Sequence, residues 1–158
     1  MIFVRDKGRM CNNILQYGHL YAWARANNRK TVSMRFAYKY QYFHICRTRW
    51  HNFFVYLLAK YAAKLKLIPT VTFDTPDEDL TEKENAMRRG CLVAEGWFAR
   101  WYELFLQYKP EILSLFAFDS HIENKVTSLL EASSKEGIIR LGVHIRRGDY
   151  ATWQNGKF

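Results

Sequence analysis

The chain has 158 residues, one domain's worth, and its 24 Lys and Arg against 15 Asp and Glu give a formal net charge of +9. With 49% hydrophobic and 16% aromatic residues, eight glycines and three prolines, it is neither disordered, collagenous nor a disulfide scaffold. Arg5, Asp6 and Lys7 interrupt the amino terminus, and no apolar stretch approaches the roughly 20 residues of a spanning helix, so neither a signal peptide nor a membrane span is expected. The three cysteines, at 11, 46 and 91, form no Cys-x-x-Cys and point to reduced, buried thiols and hence to the cytoplasm.

Charge is unevenly spread. Residues 1–66 hold 13 Lys and Arg and a single acid, Asp6, whereas six of the 15 acids fall within 74–84. The first 66 residues therefore make a cationic surface suited to nucleic acid, anionic headgroups, or a phosphorylated or acidic substrate.

In chain order, Ile2, Phe3 and Val4 form a buried strand that runs into a charged loop at 5–9. A helix follows, with Asn12 and Asn13 as N-caps and Ile14, Tyr17, Tyr21 and Ala24 at helical spacing, until Asn27 and Asn28 stop it. Residues 31–34 supply a second strand. This is a βαβ unit, which implies a parallel sheet. Aromatic and basic residues mix over 37–50 without a clear pattern; 53–65 reads as a helix ending before Pro69, and 71–73 as a short strand. The acidic stretch shows two capping-box forms, at Thr75 to Glu78 and Thr81 to Glu84, so a short surface helix is expected there.

Cys91 to Val93 make a brief strand, and Glu95, Gly96, Trp97 and Phe98 lead into an aromatic helix that Pro110 ends or kinks. Ser120 and Glu123 form a capping box before Ile122, Val126, Leu129 and Leu130, which predicts a helix over 120–133. Gly137 releases the chain into the apolar run 138–145, predicted to be a strand in the sheet centre.

That last strand is expected to end in His144, Ile145, Arg146, Arg147, Gly148, Asp149 and Tyr150. In α/β sheets, ligands bind beyond the carboxyl ends of strands. A planar, permanently charged guanidinium suits phosphate, Gly148 allows close backbone approach, and Asp149 can orient an arginine. An ordinary strand-to-turn with surface charges explains the same spacing equally well. His44, Cys46 and His51 fit no zinc pattern and read as a core cysteine with surface histidines. Dinucleotide, P-loop and serine-hydrolase motifs are absent from the sequence.

The segment at 144–150 resembles the His-x-Arg-Arg-x-Asp-Tyr motif of the α-1,2-fucosyltransferases, glycosyltransferase family 11. The stretch from Gly8 to Tyr17 is similar to that family's Gly-Gly-Leu-Gly-Asn-Gln-Met-Phe-Gln-Tyr opening, with Arg9 and Cys11 where the family has glycines, Asn13 for Gln and Leu15 for Phe. The resemblance implies a Rossmann-like parallel sheet with flanking helices, the amino-terminal lobe of a GT-B-like glycosyltransferase. Residues 1–136 would form that lobe, and 137–158 a strand and motif loop leading to a donor-binding lobe that is largely absent. It further implies inverting transfer of L-fucose from GDP-β-L-fucose to a sugar hydroxyl, α-1,2 to galactose, on a glycan or lipopolysaccharide-type acceptor, with no metal or other cofactor.

By motif position, Arg146 and Asp149 would be catalytic. His144, Arg146 and Arg147 would bind the donor, and Gly8, Asn12 and Gln16 would line the cleft, with Asn12 as a plain N-cap the simpler alternative. Because the family continues well beyond this motif, the chain alone is expected to be inactive. Peripheral contact with an anionic membrane is expected from the basic, aromatic first 66 residues, and no nucleic-acid partner is expected under this reading. The competing reading is a non-enzymatic nucleic-acid-binding module that uses the basic and aromatic residues of 38–50.

Overall fold

The chain's first two apolar runs become parallel neighbours in a sheet. A computed structural model describes residues 1–76, 79–132 and 141–143. Its elements are β1 (Ile2–Arg5), α1 (Met10–Ala26), β2 (Thr31–Ser33), a 3-10 turn (His44–Arg47), α2 (Phe53–Lys64), β3 (Thr70–Thr72), α3 (Thr81–Arg88), β4 (Leu92–Glu95), α4 (Tyr102–Gln107), α5 (Lys109–Leu115) and α6 (Ser120–Ala132). The strands lie in the order β2-β1-β4-β3, and all three pairings are parallel, with Phe3 opposite both Val32 and Val93. This is an α/β architecture, a four-stranded parallel sheet flanked by helices, consistent with a Rossmann-like fold. The chain divides into two compact units, Met1–Glu123 and Asn124–Phe158.

The strand order dictates where the helices go. Crossovers between parallel strands are right-handed, so β1→β2 and β2→β3, which run in opposite directions across the sheet, must place α1 and α2 on opposite faces. Two cores result. Ile2, Val4, Leu92 and Ala94 pack with Tyr17, Leu20 and Trp23 of α1 and Met87 of α3. Phe3, Val32 and Val93 point the other way and pack with Ala59 of α2. The alternation of Ile2, Phe3 and Val4 between the two cores is the two-residue period of a strand buried on both faces. Truncating a core side chain as large as Trp23, 1% exposed, costs about 3–5 kcal/mol.

Helix ends explain most differences from the sequence reading. The N-cap of α1 is Arg9, in extended conformation, and its carbonyl accepts the first helical bond from the Asn13 N–H at 3.0 Å. Asn12 and Asn13 lie inside the first turn rather than capping it, because the turn at Gly8, φ +87°, starts the helix earlier. Both α1 and α2 end in Schellman turns with a non-glycine residue in the left-handed region. Asn28 (φ +53°) lets Arg29 N–H reach the Ala24 carbonyl at 2.7 Å, and Lys66 (φ +58°) lets Leu67 N–H reach the Ala62 carbonyl at 2.8 Å. Asp79, not Thr81, precedes α3 as the capping side chain, since its Oδ1 accepts the Thr81 N–H at 2.9 Å. For α6 the Asp119 carbonyl accepts from Ile122 and Glu123, so Ser120 already lies within the helix. Pro110 opens α5, where its missing N–H costs nothing.

Gly96 is required by close approach. Its φ is +120°, and a Cβ there would sit 2.3 Å from the Phe73 carbonyl oxygen, whose residue accepts from Phe98 N–H and donates its own N–H to Glu95. The end of β3 is thereby pinned against the turn after β4.

Two expectations fail. Leu141, Gly142 and Val143 belong to no strand, and the Leu141 and Val143 side chains are exposed; among the described residues the central strands are β1 and β4. The rest of the predicted strand 138–145 lies outside the described residues. The thiols are not buried either: Cys11 and Cys91 are exposed, and Cys46 is half-buried.

Candidate functional site

Two features meet the carboxyl edge of the sheet. The first is the loop after β1. Gln16, 1% exposed, turns its amide back onto it: Oε1 accepts the Lys7 N–H at 3.1 Å, while Nε2 donates to the Lys7 carbonyl at 2.8 Å and the Asn12 carbonyl at 3.1 Å. With its amide spent on backbone, Gln16 shapes the loop. Gly8 and Asn12 are exposed, and a Cβ on Gly8 would lie 2.9 Å from Asn12 Nδ2 and 3.0 Å from the ring of Trp97. Gly8, Asn12 and Trp97 thus adjoin where β1 and β4 end. The helices leaving β1 and entering and leaving β4 pack together on one face, so the loop sits at the carboxyl ends of the two central strands, the edge of an α/β sheet beyond which ligands bind. Arg5 pairs with Glu95 at 3.0 Å across the same two strands, and Lys7 lies 3.9 Å from Glu95.

Asn13, next to this loop, is fully buried, and neither its Oδ1 nor its Nδ2 has a hydrogen-bond partner among the described residues.

The second feature is a polar network beneath the loop. Ser33 Oγ donates to Asp6 Oδ2 at 2.6 Å and accepts the Phe36 N–H at 3.1 Å. Ser33 N–H donates to His51 Nε2 at 2.9 Å. His51 Nδ1 lies 2.6 Å from Thr48 Oγ1, which donates to the Ile45 carbonyl at 2.9 Å. These bonds fix the tautomer: Nε2 is the acceptor, so Nδ1 carries the proton and gives it to Thr48.

Asp, Ser and His therefore stand together without forming a nucleophilic triad. The serine proton is committed to Asp6, the histidine acceptor nitrogen is committed to a backbone N–H, and Ser33 is fully buried. Burial holds His51 down to about 4, so it is neutral at ordinary pH. His51 is thus a buried structural residue, correcting its expected place on the surface; His44 is exposed as expected.

Among the described residues Asp6 has the most perturbed carboxyl. Burial raises it to about 7, against the opposing Ser33 bond and the nearby Arg35, and its Oδ1 is buried without a partner among the described residues. It is the residue that the sequence reading passed over, although an isolated acid directly after a buried strand was a usable signal. Asp6 also stands in the wall of a cavity of about 500 Å³, lined by residues following β1 and β2 and by one side of α2. The 38–60 region supplies this wall rather than a metal site. Among the described residues no group of three or more His, Cys, Asp or Glu side chains converges as a metal site would need.

His144, Arg146, Arg147 and Asp149 lie outside the described residues. Of the expected site residues, the structure brings Gly8 and Asn12 together at the carboxyl edge of β1 and turns Gln16 inward beneath them. No family model, curated protein or solved structure matches the chain.

Proposed function

We propose that the chain is the amino-terminal α/β lobe of a GT-B-like glycosyltransferase that moves L-fucose from GDP-β-L-fucose to a sugar hydroxyl, α-1,2 to galactose, with inversion. The observation that carries this reading is the segment from Gly8 to Gln16: the stretch that resembles the fucosyltransferase opening lies directly after β1 and runs into the first turns of α1, at the carboxyl edge of a parallel sheet, with Trp97 against Gly8. Cleaving the sugar–phosphate bond builds negative charge on the departing GDP, and a preorganised cation at the β-phosphate contributes about 3–4 kcal/mol to such a transition state. Arg146 takes that role in this reading, with His144 and Arg147 on the donor and Asp149 orienting a guanidinium or acting in catalysis.

Calorimetric titration of GDP-fucose, GDP-mannose and a UDP-sugar into the full-length reading frame, with and without Arg146→Ala, tests it. Selective GDP-fucose binding lost in the variant is expected. Equal, salt-sensitive binding of every anion, unchanged by the substitution, overturns the reading and favours the basic nucleic-acid-binding module instead.

Peripheral contact with an anionic membrane belongs to the same proposal, and α2 supports it. Phe54, Leu58, Tyr61 and Leu65 recur at i, i+4, i+7 and i+11, and at 77%, 71%, 51% and 67% exposed they form an outward apolar stripe. Lys60, Lys64 and Lys66 flank it, and the sequence has no acid between Asp6 and Asp74. An apolar face bordered by lysines suits the interface of an anionic bilayer. No described helix is long and apolar enough to cross a membrane.

A further inference from the structure

The cavity beneath α2 is a different place from the Gly8 loop, and its wall has an unusual charge balance. Arg35, Lys60 and Lys64 line it together with Arg5, whose charge is matched by Glu95. Among the described residues the other three cations face no carboxylate in a salt bridge. Arg35 donates to the Tyr38 hydroxyl at 2.8 Å and has Nη2 3.5 Å from the Asp6 carbonyl; Lys60 lies over the ring of Tyr56 at 5.7 Å; Lys64 makes no hydrogen bond or ion pair with a described residue. The single acid in the wall, Asp6, is 2% exposed and is raised by burial to about 7, so it carries less than a full negative charge at neutral pH and leaves the wall net positive.

The remaining wall is aromatic. Tyr38, after β2, and Tyr56, of α2, pack on each other with ring centroids 4.5 Å apart, and both line the cavity. Three cations without a salt bridge among the described residues, beside two tyrosines, call for a ligand with a concentrated negative charge and a ring, and the volume lies within the range of roughly 300–1,000 Å³ typical of small-molecule sites. A phosphate supplies the charge better than a carboxylate does, because its dianion and three oxygens can engage a guanidinium and two ammonium groups at once.

We propose that this cavity binds a phosphate monoester of a ring-bearing small molecule, a sugar phosphate or a nucleoside monophosphate, with the phosphate held by Arg35, Lys60 and Lys64 and the ring against Tyr38 and Tyr56. The site stands whether or not the chain belongs to a fucosyltransferase, because it uses none of the residues assigned to the donor.

Calorimetric titration of the full chain with galactose 1-phosphate, guanosine 5′-monophosphate, inorganic phosphate, galactose and guanosine tests the proposal. One of the two esters is expected to bind at least tenfold tighter than inorganic phosphate and than its own unphosphorylated form, and which ester does so identifies the source. Lys64→Gln and Lys60→Gln are exposed substitutions that leave the core intact. Each is expected to weaken that binding about tenfold or more, whereas Lys30→Gln, an exposed lysine outside the cavity, leaves it unchanged. Binding that persists in Arg146→Ala separates this site from the donor site. Absence of saturable ester binding, or equal weakening by Lys30→Gln, overturns the proposal.

Discussion

Ser33 Oγ donates to Asp6 Oδ2 at 2.6 Å, joining the first residue after β1 to the last residue of β2 inside the protein, while the other oxygen of Asp6 is buried and has no partner among the described residues. Burial disfavours the ionised form and raises Asp6 to about 7, and the single bond from Ser33 opposes this only in part.

The pH dependence of stability follows from that burial. Folded Asp6 holds its proton up to about pH 7, whereas the unfolded chain releases it near 3.8, so its favourable contribution is full below about pH 4 and is lost as pH rises toward 7. His19 and His51, both pushed from 6.5 to about 4 by burial, act oppositely: their contribution is present above 6.5 and is lost as pH falls toward 4. Asp6→Asn removes only the first effect. Relative to the parent, the variant is expected to gain stability between about pH 4 and about pH 8. The gain should reach a few kcal/mol, because each tenfold difference in proton affinity between folded and unfolded chain is worth about 1.4 kcal/mol. Urea unfolding at the two pH values measures this, and a difference independent of pH would sink the assignment.

Gln16 is the brace of the loop that holds Gly8 and Asn12. Gln16→Ala deletes three hydrogen bonds and leaves a void at a buried position, so a loss of about 1–3 kcal/mol is expected. Gln16→Glu keeps the acceptor for the Lys7 N–H but aims an ionised oxygen at the Lys7 and Asn12 carbonyls. It should be the worse variant at neutral pH and recover in acid, where the protonated carboxyl can donate. Thermal unfolding of the two variants at neutral and acid pH checks this; equal midpoints for parent and Gln16→Ala would mean that the brace contributes nothing.

The outward face of α2 gives a prediction on membranes. The chain is expected to sediment with vesicles containing phosphatidylglycerol and not with pure phosphatidylcholine. Salt approaching 1 M, where the screening length falls to about 3 Å, should weaken the association. The double substitution Phe54→Asp and Leu58→Asp places two acids on residues that are 77% and 71% exposed, so the fold should survive while vesicle binding is lost. Unchanged sedimentation of that variant would exclude α2 as the contact.

The strands β1 and β2 and the helices α1 and α2 were legible in the sequence because their periodicity and stop signals are local: the apolar run Ile2 to Val4, the helical spacing through Ala24, and the Asn27 and Asn28 stop that becomes a Schellman turn. The capping residues were harder, because Asn12 and Asn13 have good capping chemistry yet the turn at Gly8 decides where the helix starts. The loop that carries Gly8 after β1 was legible, because the apolar run ends at Arg5; the inward turn of Gln16 was not visible, since an amide near a loop can face either way.

What the sequence determined by itself was the class of fold, a parallel α/β sheet, and the cationic character of its first 66 residues, since strand and helix periods and charge counts are properties of adjacent residues. Only the tertiary structure decided which side chains meet: that β4 enters between β1 and β3, that Asp6 is sealed against Ser33 rather than solvated, and that Arg35, Lys60 and Lys64 face one cavity. The reason is that these contacts join residues far apart in the chain. Their geometry is set by the right-handed crossovers that send α1 and α2 to opposite faces, and no local pattern records it.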